Sequence, residues 1–184
     1  AKLDAYGLTD KALRMINSYI SERWQRTKVN GTFSNWSKLL VGVPQGSVLG
    51  PILFNIYLND LLWVIDDCCN FADDTTIYAC NKDLNVVKRK LETNSKKAIQ
   101  WFKENYMKLN EDKCKLIICG KKNENISVKV GSAEIWEEQF VTLLGICIDN
   151  KLSFDKYISK IVKKANGKIA VIQRSFRYLS KFKR

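Results

Sequence analysis

Two adjacent carboxylates, Asp73 and Asp74, follow Phe71-Ala72 and precede Thr75-Thr76-Ile77-Tyr78. The flanking text predicts two short strands, Cys68 to Ala72 and Thr75 to Cys80, with both acids at the bend. Aspartate pairs are common in turns because the side chain bonds its own backbone. The stiff, largely apolar flanks give this pair a second reading. Hard oxygen donors on a rigid tip suit Mg2+, with Mn2+ as the alternative ion, and such an ion keeps positions open for phosphate oxygens. A carboxylate pair can contribute to a two-metal clamp for in-line phosphoryl displacement. No Lys or Arg occurs between Lys38 and Lys82, and that stretch holds five aspartates.

The second chemical element is Gly42 to Pro51. It contains both prolines of the chain and three of its nine glycines. That concentration predicts a loop of special backbone geometry. Val43-Pro44-Gln45-Gly46-Ser47 could set bare backbone against a flat or phosphorylated ligand, with Gln45 supplying a donor and an acceptor. The same text also fits a plain strand-to-helix turn capped by Ser47.

Elements that position these residues are set by periodicity. Thr9 to Glu22 predicts an amphipathic helix with Leu13, Ile16 and Ile20 on one face. Gln25 to Leu40 predicts a hairpin around Asn30-Gly31. A helix begins near Ser47 or Val48 and runs toward Val64, with Pro51 in its first turn. Asp83 to Tyr106 is a second amphipathic helix, with Leu84, Val87, Leu91, Ala98 and Trp101 sharing a face. Lys113 to Cys119 predicts a strand, and Ile126–Val130 with Ala133–Trp136 a hairpin. Phe140 to Ile148 predicts a buried strand. Ser153 caps a last helix with Phe154, Ile158, Ile161, Val162, Ala165, Ile169 and Ile172 inward. Lys156, Lys160, Lys163, Lys164 and Lys168 lie on its outer face. Helices interleaved with antiparallel hairpins, without regular βαβ alternation, predict an α+β fold.

The 184 residues are 46% apolar and 27% charged, enough for a buried core. Net charge is +12, and it is unevenly placed. Residues 1–80 hold 7 basic and 8 acidic side chains, whereas residues 81–184 hold 24 and 11. A basic body around an acidic, lysine-free stretch fits a solvated surface with a basic tail, and it also fits polyanion binding beside a cation site. The chain has no histidine, which excludes Ser–His and Cys–His triads, His-ligated zinc and a His general base. The six cysteines form no C-x-x-C pair and read as reduced core thiols of an intracellular protein, in cytoplasm or nucleus. No apolar run reaches the length of a membrane span and no signal peptide opens the chain.

Taken together, the motifs resemble a known family. Gly42-Val43-Pro44-Gln45-Gly46-Ser47-Val48-Leu49-Gly50-Pro51-Ile52-Leu53-Phe54, then Tyr57-Leu58-Asn59-Asp60-Leu61, resembles the QG-containing motif of reverse transcriptases. Phe71-Ala72-Asp73-Asp74 resembles their double-aspartate motif. Leu109-Asn110-Glu111-Asp112-Lys113-Cys114 resembles the downstream Asn-x-x-Lys motif. Leu143-Leu144-Gly145-Ile146-Cys147-Ile148-Asp149, with Leu152-Ser153-Phe154, resembles the strand after it. The order is similar to that of non-LTR, jockey-like retrotransposon enzymes.

The resemblance implies a polymerase palm-like antiparallel sheet packed against helices over 1–148, and a basic helical start of a thumb over 149–184. It implies an RNA-directed DNA polymerase using Mg2+ or Mn2+, an RNA template, a DNA primer and deoxynucleoside triphosphates. Asp73 would be the metal-binding carboxylate and Asp74 its supporting neighbour. Gln45 and Gly46 would line the template–nucleotide pocket, and Phe71 would lie near the primer end. Lys113 would sit near the triphosphate as an acid or charge stabiliser. The strand at 143–149 would lie near the primer, and the five lysines of the last helix would contact duplex backbone.

It also implies a third carboxylate on a strand upstream of the QG motif, and fingers before it. The opening Ala1 to Leu8 looks like the helix after such a strand, so the chain alone is expected to polymerise poorly. Two other readings compete: a nucleic-acid-binding remnant without catalysis, and a metal-dependent phosphohydrolase built on Asp73 and Asp74.

Overall fold

The computed structural model describes residues 2–120 and 125–176. The described residues form helices and antiparallel hairpins, an α+β arrangement in two compact units. Among the described residues, one unit comprises 2–80 and 97–106, and the other 81–96, 107–120 and 125–176.

The first unit starts with α1 (Lys2–Ala5) and α2 (Asp10–Ile20). A nested pair of hairpins comes next: β1 (Arg23–Gln25) with β4 (Ser37–Leu39), and within it β2 (Lys28–Val29) with β3 (Thr32–Phe33). Asn30 and Gly31 both take positive φ, +47° and +86°, the geometry that matches strand twist in a two-residue turn. The predicted long helix is divided. α3 (Leu49–Leu58) stops at Asn59-Asp60, and a single turn, α4 (Leu61–Val64), succeeds it. The catalytic candidates lie on the next hairpin, β5 (Cys68–Phe71) and β6 (Asp74–Ile77).

Buried Ile16, Leu58, Leu61, Ile65, Ala98 and Trp101 form the apolar centre of this unit, and Leu61 is wholly enclosed. The Tyr57 ring meets Trp101 edge-on at 6.3 Å. The Lys2 ammonium lies 4.5 Å from the Tyr57 ring centre and 4.6 Å from that of Trp101. It also donates to the Tyr57 carbonyl and to Asp60 Oδ1, each at 2.8 Å. Burial, with a lesser push from Asp60, raises the Tyr57 hydroxyl pKa. That hydroxyl stays protonated and donates to the Asn105 carbonyl. The family-like run Tyr57 to Leu61 is therefore built into this unit's core.

The helix α5 (Leu84–Glu104) gives its first half to the second unit and its last turns to the first. Its inward face carries Val87, Ala98 and Trp101 as predicted, together with buried Asn94 and Ser95. The second unit contains two hairpins: β7 (Ser127–Val130) with β8 (Ala133–Trp136), and β9 (Phe140–Leu143) with β10 (Ile146–Asp149). α6 (Asp155–Phe176) completes the described residues.

Several expectations need correction. The text at 113–119 is not a strand. Glu111–Lys113 is a 3-10 turn, and the residues after it make one isolated bridge, Leu116 to Glu137. The single buried strand at 140–148 is a hairpin, bent where Leu144 and Gly145 take φ of +49° and +84°. The cysteines are free thiols but not core residues: Cys69, Cys80 and Cys119 are exposed and the other three half-buried. Cys69 is the outward residue of β5, since alternate residues of a two-stranded ribbon look away from the core, whereas Cys80 and Cys119 lie in connecting segments outside the strands. Nor is the apolar stripe of α6 inward. Ile158, Ile161, Val162, Ile169 and Ile172 are all exposed, because among the described residues no element covers that side. Finally, the described strands pair as five separate two-stranded sheets rather than one.

Candidate active site

β5 and β6 pair in the register Cys68 with Ile77, Cys69 with Thr76, Asn70 with Thr75 and Phe71 with Asp74. The Tyr78 amide extends the ladder by donating to the Asp67 carbonyl at 2.9 Å. The bend is shorter than predicted. Ala72 and Asp73 make the turn, with Ala72 at φ +53°, and Asp74 is already the first residue of β6. Residues directly opposite in an antiparallel pair project to the same face, so Phe71 and Asp74 are neighbours across the ribbon. Asp73 and Asp74 are both exposed. Among the described residues neither has an ion-pair partner. Two other acids of this unit are paired: Asp60 with Lys2 at 2.8 Å and Asp66 with Lys97 at 3.1 Å.

The glycine–proline loop is built by its own small residues. Gly42 and Gly46 take φ of +87° and +77°, where a side chain would be strained. Arg23 fastens the start of the loop by donating to the Gly42 carbonyl. Ser47 Oγ donates to the Pro44 carbonyl at 2.7 Å and accepts the Gly50 amide at 3.0 Å, so Ser47 caps α3 as predicted. A Cβ on Gly50 would lie 2.9 Å from both the Pro44 carbonyl and Ser47 Oγ. Gly50→Ala is therefore expected to destabilise the chain by roughly 1–3 kcal/mol. A urea melt with unchanged slope and lower midpoint checks this. Gln45 at the tip is exposed and makes no hydrogen bond among the described residues. Loop and hairpin, and with them Gln45, Gly46, Phe71, Asp73 and Asp74, belong to the same compact unit.

The remaining candidates belong to the second unit. Lys113 ends the 3-10 turn and is exposed. Lys156, Lys160, Lys163, Lys164 and Lys168 are exposed along α6. Lys156 Nζ also lies 4.1 Å above the Phe140 ring. Among the described residues no three His, Cys, Asp or Glu side chains gather into a metal-binding group. Asp73 and Asp74 nevertheless offer hard oxygens, free of competing cations, in a donor chemistry that fits a divalent ion.

Sequence reasoning missed the part played by Asp149. Its place in the motif suggested only the end of a strand, yet it is buried and organises the whole entry into α6. Its Oδ1 accepts the Lys151 and Ser153 amides, each at 3.0 Å. Its Oδ2 accepts the Phe154 amide at 2.7 Å and the Ser153 hydroxyl at 3.3 Å. The bonds offset a strained backbone, because Leu152 and Phe154, both bulky, sit at φ +57° and +61°. The signal available in sequence was Asp149 with Ser153 at a cap spacing beyond it. Amide donation, first from Ser153, lowers the Asp149 pKa below the ordinary aspartate range. Its contribution to stability is thus complete above about pH 4, the unfolded value, and is lost as pH falls through the lower folded value. Asp149→Asn is expected to lower the Tm by an amount that is constant near neutrality and shrinks in strong acid. Melting curves of both proteins across pH check this.

Comparison with known proteins decides the family. The model for reverse transcriptase (RNA-dependent DNA polymerase) matches residues 1–180. The chain belongs to the reverse transcriptase family. It is 27% identical over 182 residues to the RNA-directed DNA polymerase from mobile element jockey of Drosophila melanogaster, covering 89% of this chain and 20% of that protein. It is 22% identical over 163 residues to the probable RNA-directed DNA polymerase from transposon X-element of the same species, covering 85% and 18%. It is 27% identical over 147 residues to a Pol polyprotein from type-1 retrotransposable element R1 of Nasonia vitripennis, covering 74% and 44%. The chain thus spans about one fifth of the length of the first two relatives and under half of the third. No solved structure matches it. Among the described residues no helix is long and apolar enough to cross a membrane.

Proposed function

We propose that this chain carries part of the nucleotidyl-transfer centre of an RNA-directed DNA polymerase, with palm-like packing and the start of a thumb at 149–184. The supporting observation is the exposed tip bearing Asp73 and Asp74, free of ion pairs among the described residues, inside a reverse transcriptase chain. Asp73 is the principal ligand for Mg2+ or Mn2+, and Asp74 supports it. A divalent ion held there supplies charge neutralisation at the phosphates and a more acidic primer hydroxyl. Gln45 and Gly46 border the template and nucleotide, and Phe71 lies beside the primer end. Lys113 stabilises charge or donates a proton at the triphosphate. The α6 lysines hold the backbone of the RNA–DNA duplex by charge.

Two carboxylates are an incomplete ligand set, and pre-organised geometry is what accelerates this chemistry. The 184-residue chain by itself therefore extends a labelled DNA primer on an RNA template slowly at best. Extension at a rate near that of an intact relative overturns the incomplete-site reading. The second reading, a binding remnant without catalysis, is favoured by the lack of a third clustered acid among the described residues.

A further inference from the structure

The nested hairpins of the first unit carry a feature that the nucleotide-addition reading does not use. The Arg26 guanidinium lies 3.8 Å from the Phe33 ring centre and 4.6 Å from that of Trp36. Lys28 Nζ lies 5.0 Å from Phe33, its cross-strand partner, and Trp24 pairs across the ribbon with Lys38. These rings are not core. Trp24, Phe33 and Trp36 are 57%, 47% and 58% exposed. The scaffold beneath them is firm: Thr27 and Ser34 exchange two hydrogen bonds of 2.9 Å, and the Asn30-Gly31 turn fixes the register. No aspartate or glutamate occurs between Glu22 and Asp60.

We propose that this hairpin is a docking surface for single-stranded nucleic acid, with bases stacking on Trp36 and Trp24 and phosphates meeting Arg26, Lys28 and Lys38. Exposed aromatics beside cations that have no ion pair among the described residues match what an unpaired strand presents: flat faces that every base possesses, and one negative charge per nucleotide. A planar guanidinium resting on two rings already forms part of such a stack and extends it toward a base. Charge complementarity favours a polyanion over an acidic peptide, because planar bases also use the rings. A duplex hides its base faces, so this surface prefers unpaired strands. It lies in a different compact unit from α6 and does not depend on Asp73.

The test titrates the full chain with a short labelled oligouridylate and with an RNA duplex of equal length. Phe33→Ala/Trp36→Ala is expected to weaken single-strand binding about tenfold or more, and duplex binding little. Trp36→Leu keeps the apolar bulk and loses the stacking face, so it behaves like the alanine variant. Trp36→Phe retains binding. Circular dichroism of each variant confirms the fold. Equal affinity across all variants, equal losses for strand and duplex, or no oligouridylate binding by the parent chain overturns the proposal. Asp73→Asn leaves this binding unchanged, so failure of the hairpin and failure of the catalytic reading are separate results.

Discussion

Asp73→Asn is expected to abolish whatever metal-dependent primer extension the chain supports, by a factor on the order of 10³, while the protein melts as before. The side chain is exposed at a turn, so its neutral isostere disturbs no packing. What disappears is one negative oxygen donor at the tip. Asp74→Asn is expected to cost less, because its strand position faces Phe71 rather than the turn. Two measurements check the pair. Single-turnover extension with protein in excess reads the chemistry. Mn2+ binding, monitored by electron paramagnetic resonance, reads the site without requiring turnover. The parent chain binds Mn2+ weakly and Asp73→Asn does not. If the parent chain extends no primer and Asp73→Asn leaves every measured property unchanged, while charge removal on α6 abolishes nucleic-acid binding, the chain is a binding remnant. Release of phosphate from small esters without a primer would instead favour a phosphohydrolase.

Neutralising Lys160, Lys163 and Lys164 together is expected to change duplex binding most of all. Their spacing places them on one side of α6, opposite the exposed Ile158, Ile161, Val162 and Ile169. Each lost phosphate contact reduces the slope of log affinity against log salt by about 0.9. The triple glutamine variant therefore has a visibly flatter salt dependence and a weaker affinity in dilute buffer, and the two proteins converge at high salt. Fluorescence anisotropy with a labelled duplex at several salt concentrations measures both. A parent chain whose affinity ignores salt shows that these lysines merely solvate the helix.

The parts of the molecule legible in sequence are those set by local chemistry. Asn30-Gly31 announced its turn, since positive φ restricts residue choice. Ser47 announced its cap, and the period of α5 announced its buried face. What could not be read depends on distant partners. Lys113 to Cys119 has strand composition, but composition cannot supply a neighbouring strand, and the segment gains a single bridge at Leu116. The apolar period of α6 predicted a helix correctly and its burial wrongly, because periodicity says which side is greasy and not whether anything lies against it. For the candidate site, the type and order of Phe71, Asp73, Asp74 and Gln45 were plain in the text. The one-residue shift that puts Ala72 in the turn and Asp74 in β6 was not, because boundaries depend on the register that pairing selects. Asp149 was hidden for a related reason: its partners are backbone amides, which leave no letter of their own.

A sheet of two strands is all rim. In each of the five ribbons, half of the strand amides and carbonyls point away from the partner. The β5–β6 hairpin shares this property, so among the described residues neither Cys68–Phe71 nor Asp74–Ile77 has a second strand partner, and each keeps a flank for one more extended segment. An incoming strand could zip onto either flank through backbone alone, whatever its side chains. The molecule thus holds, beside its acid-tipped bend, a ready template on which a wider sheet can crystallise.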